Sequence, residues 1–187
     1  MGLGSIHKTA LVAAGLSLTL SCSTVAFSQT SASITTPDAA LLSAAEAYDA
    51  AWAASKLAFA AGTFTQGSAT GYGNYVKRSD AVFAKGDTLN VYLEPVGFSF
   101  AEDDSNFSYK LSVSYRLLNS IDQVLSEEDE FSVLEGTSRN KTRQVWSALS
   151  FQFEGLPAGD YVLETLMDDE IGEYRATATL PFSVKAQ

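Results

Sequence analysis

The sequence holds one cysteine and one histidine, Cys22 and His7, and both fall within its first 28 residues. Cations are scarce as well, 12 Lys and Arg against 22 Asp and Glu, for a net charge of −10. Past the N-terminal segment no apolar run is long enough to span a bilayer. An acidic chain repels phosphate backbones, so nucleic acid is not expected as a partner, and no transmembrane segment is expected either.

The N-terminal segment reads MGLGSIHKTALVAAGLSLTLSCSTVAFSQT. Lys8 supplies a short positive region, and an apolar stretch runs from Ala10 to about Leu20. Ala26-Phe27-Ser28 then places small residues at positions −3 and −1 of a signal-peptidase site. The pattern predicts a secretory signal peptide over residues 1–28 and a periplasmic or secreted mature protein. Lipid anchoring at Cys22 is the alternative; Ser21 suits it, but Thr19 stands where such a signal carries leucine. Cleavage after Ser28 leaves a chain without cysteine or histidine. That chain forms no disulfide, holds no zinc through nitrogen or sulfur, and builds no Ser-His-Asp triad or Cys-His pair. It also loses Lys8, taking the cations from 12 to 11 against 22 acids.

What remains is patterned. Residues 29–55 read as a flexible Ser/Thr-rich start followed by an alanine-rich amphipathic helix. Thr36-Pro37-Asp38 offers a capping hydroxyl, a proline for the first helical position and an acid for the first turn. Leu41, Ala45, Tyr48 and Trp52 recur at helical spacing, a stripe expected to dock the helix on the following domain.

From residue 56 the period is two. Strands are expected around Leu57–Phe64, Leu89–Leu93, Phe107–Leu117, Gln123–Leu134, Val145–Phe153, Tyr161–Met167 and Tyr174–Val184. The acid-rich Gln123–Leu134 suits an edge, where charge discourages unwanted pairing. Pro95, within Glu94–Phe98, points to an edge or a bulge. About seven strands with no helix between them predict an all-β, immunoglobulin-like antiparallel β-sandwich over 56–187, with a closed barrel as the competing all-β form. The span is long for such a domain, and the excess is placed at residues 65–87.

Within a sandwich, Leu156-x-x-Gly159-x-Tyr161 has a structural task. Leucine plugs the base, glycine permits the turn, and the tyrosine hydroxyl bonds backbone a few residues upstream. The run Phe83-x-x-Gly86-Asp87-x-Leu89-x-Val91-Tyr92-x-Glu94, with that corner, Asp168-Asp169 and Leu180-Pro181-Phe182-Ser183-Val184, resembles the immunoglobulin-like or fibronectin type III-like modules of exported bacterial proteins. The resemblance spans about Phe83 to Val184 and implies the sandwich fold and a non-catalytic role. The immunoglobulin disulfide is absent, and so is an obvious core tryptophan on the third strand.

Two groups stand out as candidate sites. The topology sends Glu102, Asp103 and Asp104 to the same end as Asp168, Asp169, Glu170 and Glu173, opposite Tyr161. Arg139, Lys141 and Arg143 are expected to reach that end and partly neutralise it. Such a tip serves as a solvated face, as a weak calcium site, or as a docking surface for a cationic envelope protein. The second group is aromatic. Tyr72, Tyr75, Tyr92 and Trp146 form a stacking platform for glycan if exposed, and become packing if the 65–87 connection or the helix covers them. Paired acids such as Glu102/Asp104 and Asp168/Glu170 suit glycoside hydrolysis only beside a cleft, which the sequence does not supply. The expectation is therefore an exported module that binds an envelope protein, with carbohydrate binding as the alternative.

Overall fold

A computed structural model describes residues 33–186 of the chain; the signal-peptide reading, with Cys22 and its lipid-anchor alternative, lies outside the described residues. Every element below belongs to the unit Pro37–Gln187. One helix, α1 (Ala39–Ala53), precedes nine strands: β1 (Ala58–Thr65), β2 (Val82–Phe83), β3 (Leu89–Val96), β4 (Ala101–Asp103), β5 (Asn106–Asn119), β6 (Val124–Ser138), β7 (Ser147–Phe151), β8 (Gly159–Asp169) and β9 (Tyr174–Val184). Two of these, β2 and β4, are short. The other seven are the strands that the period-two alternation marks.

The strands form two sheets, a three-stranded one in the order β1-β3-β7 and a larger one in the order β2-β9-β8-β5-β4, with β6 also paired to β5. All pairings are antiparallel except β2 against β9. The architecture is a β-sandwich. Its core is built from the inward positions of both sheets, with Val91 and Leu93 of β3 facing Leu111, Val113 and Leu117 of β5 and Leu163 and Met167 of β8. Burying each such side chain stabilises the fold by roughly 1.5–3 kcal/mol.

Pro95 pairs with Phe59 beside a bulge in β1. It is tolerated within β3 because β7 flanks β3 only from Leu89 to Leu93, so Pro95 faces no ladder partner on that side. The acid-rich β6 is an edge strand, as its charge suggests. Glu130 (φ +51°) interrupts it at a bulge, and its N–H bonds to Ser114 Oγ at 3.1 Å. The long 65–87 connection folds back on itself: Thr65 bridges Lys77, and Gln66 N–H reaches Val76 O at 2.8 Å.

The helix differs from its sequence reading in two ways. Its N-cap is Asp38, whose carboxylate accepts from Leu41 N–H at 2.8 Å, rather than Thr36. A carboxylate is as good a cap as a hydroxyl and also carries charge suited to the helix N-terminus. More consequentially, the stripe does not dock along its length. Trp52 alone among the residues of α1 is buried, while Leu41 is 60% exposed and Tyr48 53%. No helix of the described residues is long and apolar enough to cross a membrane.

Candidate functional site

The corner at one end of the sandwich forms as its motif suggests. Tyr161 is buried, its hydroxyl donates to Pro157 O at 2.9 Å, and its ring stacks on Phe182. Leu156 is partly buried and packs against the core. Gly159 has a different place from the one expected. It opens β8, and the left-handed residue of the turn is Gly155 (φ +76°).

The opposite end gathers the acidic segments, because Asp103 pairs with Asn106 and Asp169 with Leu111 near the start of β5. The seven carboxylates do not converge, however. Asp169 turns inward, 1% exposed, and accepts from Ser99 N–H at 2.8 Å, Gly172 N–H at 3.0 Å and Ile171 N–H at 3.1 Å. A Cβ at Gly172 would collide with Ser99 Oγ and with that carboxylate, so glycine is what lets the turn close over it. Asp168 is spent on a two-pronged pair with Arg175, at 2.6 and 2.9 Å. Glu170 accepts from Ser112 Oγ. Glu173 (φ +56°) and Asp104 (φ +43°) occupy left-handed turn positions, which aspartate and asparagine adopt more readily than most residues. Glu102 and Asp103 are exposed on β4. Among the described residues no three Asp, Glu, His or Cys side chains are grouped to hold a metal ion. Of the seven, Asp168, Asp169 and Glu170 are already hydrogen-bonded within the protein.

The basic loop reaches this end, but not to neutralise the acids. Lys141 Nζ lies 5.1 Å from the Phe107 ring centre. The Arg143 guanidinium sits over Tyr48 and Trp52, 5.0 and 5.2 Å from their ring centres, with Nη2 2.7 Å from Asp49 Oδ1. That last contact is an ion pair without hydrogen-bond alignment, and Nε has no acceptor. Arg139 is exposed. Of the three cations Arg143 alone clamps α1 through its rings, a use that favours arginine's flat face.

Helix docking centres on the segment before β4. Trp52 Nε1 donates to Phe98 O at 2.8 Å and its ring meets Phe98 edge-on at 5.2 Å. Gly97 (φ +72°) lets the backbone of Lys56 pass directly over it, since a Cβ there would strike the Lys56 carbonyl. A cavity of about 230 Å³ remains between the last turn of α1 and the sandwich, lined by Trp52, Phe100, Glu102, Phe107, Lys141 and Tyr174 among others. The contact of Asp169 with Ser99, the neighbour of Phe98, joins the acidic turn to this docking point. Sequence spacing could not reveal it, because Ser99 and Asp169 are 70 residues apart.

Of the two readings of the aromatic group, the packed one describes Tyr92. Tyr92 points to the outer face of β3 but is fully buried. Tyr75 stacks on it at 4.0 Å and Trp146 at 6.2 Å. Its hydroxyl accepts from Gly73 N–H and donates to Glu94, both at 2.6 Å. Burial, and then the Glu94 carboxylate, push the Tyr92 hydroxyl up to about 12. The 65–87 connection covers this face through Gly73 and Tyr75. Tyr72 is 42% exposed, and Tyr75 and Trp146 are half-buried. No protein-family model matches the chain, and a search of curated proteins returns no match.

Proposed function

We propose that the chain is an exported, non-catalytic module of the immunoglobulin-like kind that binds another protein in the bacterial cell envelope, and that α1 with the cleft beneath it makes the contact. The observation that carries this reading is the state of α1. A 15-residue helix is marginal alone in water, and this one buries only Trp52 against the sandwich while Leu41, Leu42 and Tyr48 stay about half exposed or more. Leucines held out on an anchored helix match helix-in-groove recognition, where such residues enter a partner's apolar groove. At the same end Asp168, Asp169 and Glu170 are engaged in a pair, a turn and a hydrogen bond, which supports a binding role over acid-base chemistry. Export rests on the Lys8, Ala10–Leu20 and Ala26-Phe27-Ser28 pattern.

A photo-crosslinking residue placed at Leu41, Leu42 or Tyr48 in the native host tests this. One discrete adduct from these positions, absent when the residue replaces exposed Thr179 on β9, is the expected result. Adducts at Thr179 alone, or none at any position, would falsify the contact.

A further inference from the structure

The strand edges of the sandwich that lack a full-length neighbour among the described residues differ in how they are guarded. The edge of β6 is protected by charge: residues 117–138 carry Asp122, Glu127, Glu128, Asp129, Glu130 and Glu135 and no Lys or Arg. The edge of β1 lies against β9, and a Cβ at Gly62 would come within 3.6 Å of Ala178 Cβ. The edge of β7 has neither defence. Its sequence, Ser-Ala-Leu-Ser-Phe, contains no charge and no proline, and among the described residues β7 pairs only with β3.

Beside that edge lies an open cavity of about 460 Å³ between β7, β6 and the turn into β8. Tyr115, Phe131, Phe151 and Phe153 form a contiguous ring cluster in its wall, with centres 5.0–6.0 Å apart for the contacts of Tyr115 and 5.1 Å for Phe131 on Phe151. Leu125 stands at its mouth, 44% exposed. Elsewhere in the molecule cations cover rings at Phe83, Phe107, Tyr48, Trp52 and Tyr174; among the described residues no such contact is made by these four rings. The rim is acidic. Exposed Glu154 lines the cavity. Glu128 pairs with Tyr115 across the β5–β6 ladder, which puts it on the same face of the sheet as that ring.

We infer that the β7 edge and this cavity take up an extended, cationic segment of a partner protein. Backbone pairing to β7 sets its register, alternate apolar side chains enter between the rings, and Lys or Arg side chains lay their stems on the aromatics with their heads at Glu128 and Glu154. The charge decides the occupant. An acidic strand is repelled by Glu128, Glu154 and the acid-rich β6 beside them, whereas a basic one is attracted by them. This surface is separate from the α1 contact, and neither proposal depends on the other.

The probe is a labelled, end-capped peptide of alternating lysine and valine, about eight residues long, titrated with the full chain by fluorescence anisotropy. A glutamate-valine peptide of the same length is the control. Saturable binding of the lysine peptide alone is expected, weakened about tenfold by Glu128→Gln with Glu154→Gln. Both substituted residues are exposed, so folding is preserved and is checked by the thermal midpoint. Equal binding of both peptides, no binding of the lysine peptide at low salt, or unchanged affinity in the double variant overturns the inference. So does sedimentation showing a dimer that the peptide dissociates, since a second copy would then occupy the groove.

Discussion

The two ends of the sandwich are each fastened by one side chain acting on backbone, and they use opposite chemistry. At one end a hydroxyl gives a single hydrogen bond, Tyr161 to Pro157 O. At the other a buried carboxylate receives three, from Ser99, Ile171 and Gly172 N–H. The tyrosine ties a turn to its own neighbours four residues away. The aspartate ties a turn to a segment far off in sequence, and that segment holds α1. One end is closed on itself, whereas the other is coupled to the helix that we propose meets a partner.

The widest gap between the two ends is expected from Asp169→Ala. It leaves three backbone donors without their acceptor, with desolvation costs of the order of 1–3 kcal/mol for each buried group. Partial access of water to the turn brings the expected loss to about 3 kcal/mol, measured by urea unfolding. The same variant frees Ser99 and therefore loosens Phe98. In a Trp146→Phe background the emission of Trp52 shifts to the red. Equal stability to the parent, or an unshifted Trp52, would show that the acidic end is held by something else.

Between the ends lies a third fastening, which serves as a reference. The Tyr92 hydroxyl couples the 65–87 connection to β3, and Tyr92→Phe is expected to cost about 2 kcal/mol, since Gly73 N–H and Glu94 lose their partner. Its pH dependence has a definite sign. The folded-state value, about 12, lies above the ordinary value of 10.0, so the stabilisation is fully present below pH 10 and is lost as pH rises from 10.0 to about 12. Alkaline unfolding followed by tyrosinate absorbance should show this loss in the parent and a smaller one in Tyr92→Phe.

Tyr161→Phe probes the self-contained end. The ring keeps its stack on Phe182 and only the hydrogen bond goes, so the expected cost is about 1 kcal/mol. Trp52 emission and partner capture stay as in the parent. Lost capture at full stability would transfer the binding surface to the wrong end of the sandwich from the one proposed.

How much of this was legible follows from the range of each interaction. The seven long strands announce themselves because alternation is local, and the Tyr161 corner does so because its parts lie within six residues, Leu156 to Tyr161. Charge counting misread the acidic end. The acids do share that end, but Asp169 is turned inward by Ser99, and Asp168 is taken by Arg175 across a turn. Spacing alone cannot tell a carboxylate in water from one under a backbone. For Tyr92 the sequence left two readings open for a related reason: its strand face is outward, and the 65–87 connection that covers it has no periodicity that chooses between them. The helix stripe shows the limit of pattern in the other direction. Helical spacing says that Leu41, Ala45, Tyr48 and Trp52 share a face, and not that the face has something to lie on.

The smallest stability change and the largest binding change are expected together, at Leu41→Gln with Leu42→Gln. Glutamine is nearly as good a helix former as leucine, and both side chains are at least half exposed or close to it, 60% and 49%. Neither touches the Trp52 anchor, so unfolding free energy should stay within about 0.5 kcal/mol of the parent and Trp52 emission should not move. If α1 is a recognition helix, capture of the envelope partner through Tyr48 is nevertheless lost, because the apolar knobs that fill the partner's groove are gone. If capture persists, the exposed leucines are surface without a function, and the coupling of Asp169 to the helix is a matter of stability alone. Asp169→Ala then separates the two cases: with a recognition helix it weakens capture beyond what lost stability explains, and without one it lowers capture only in proportion to the unfolded fraction.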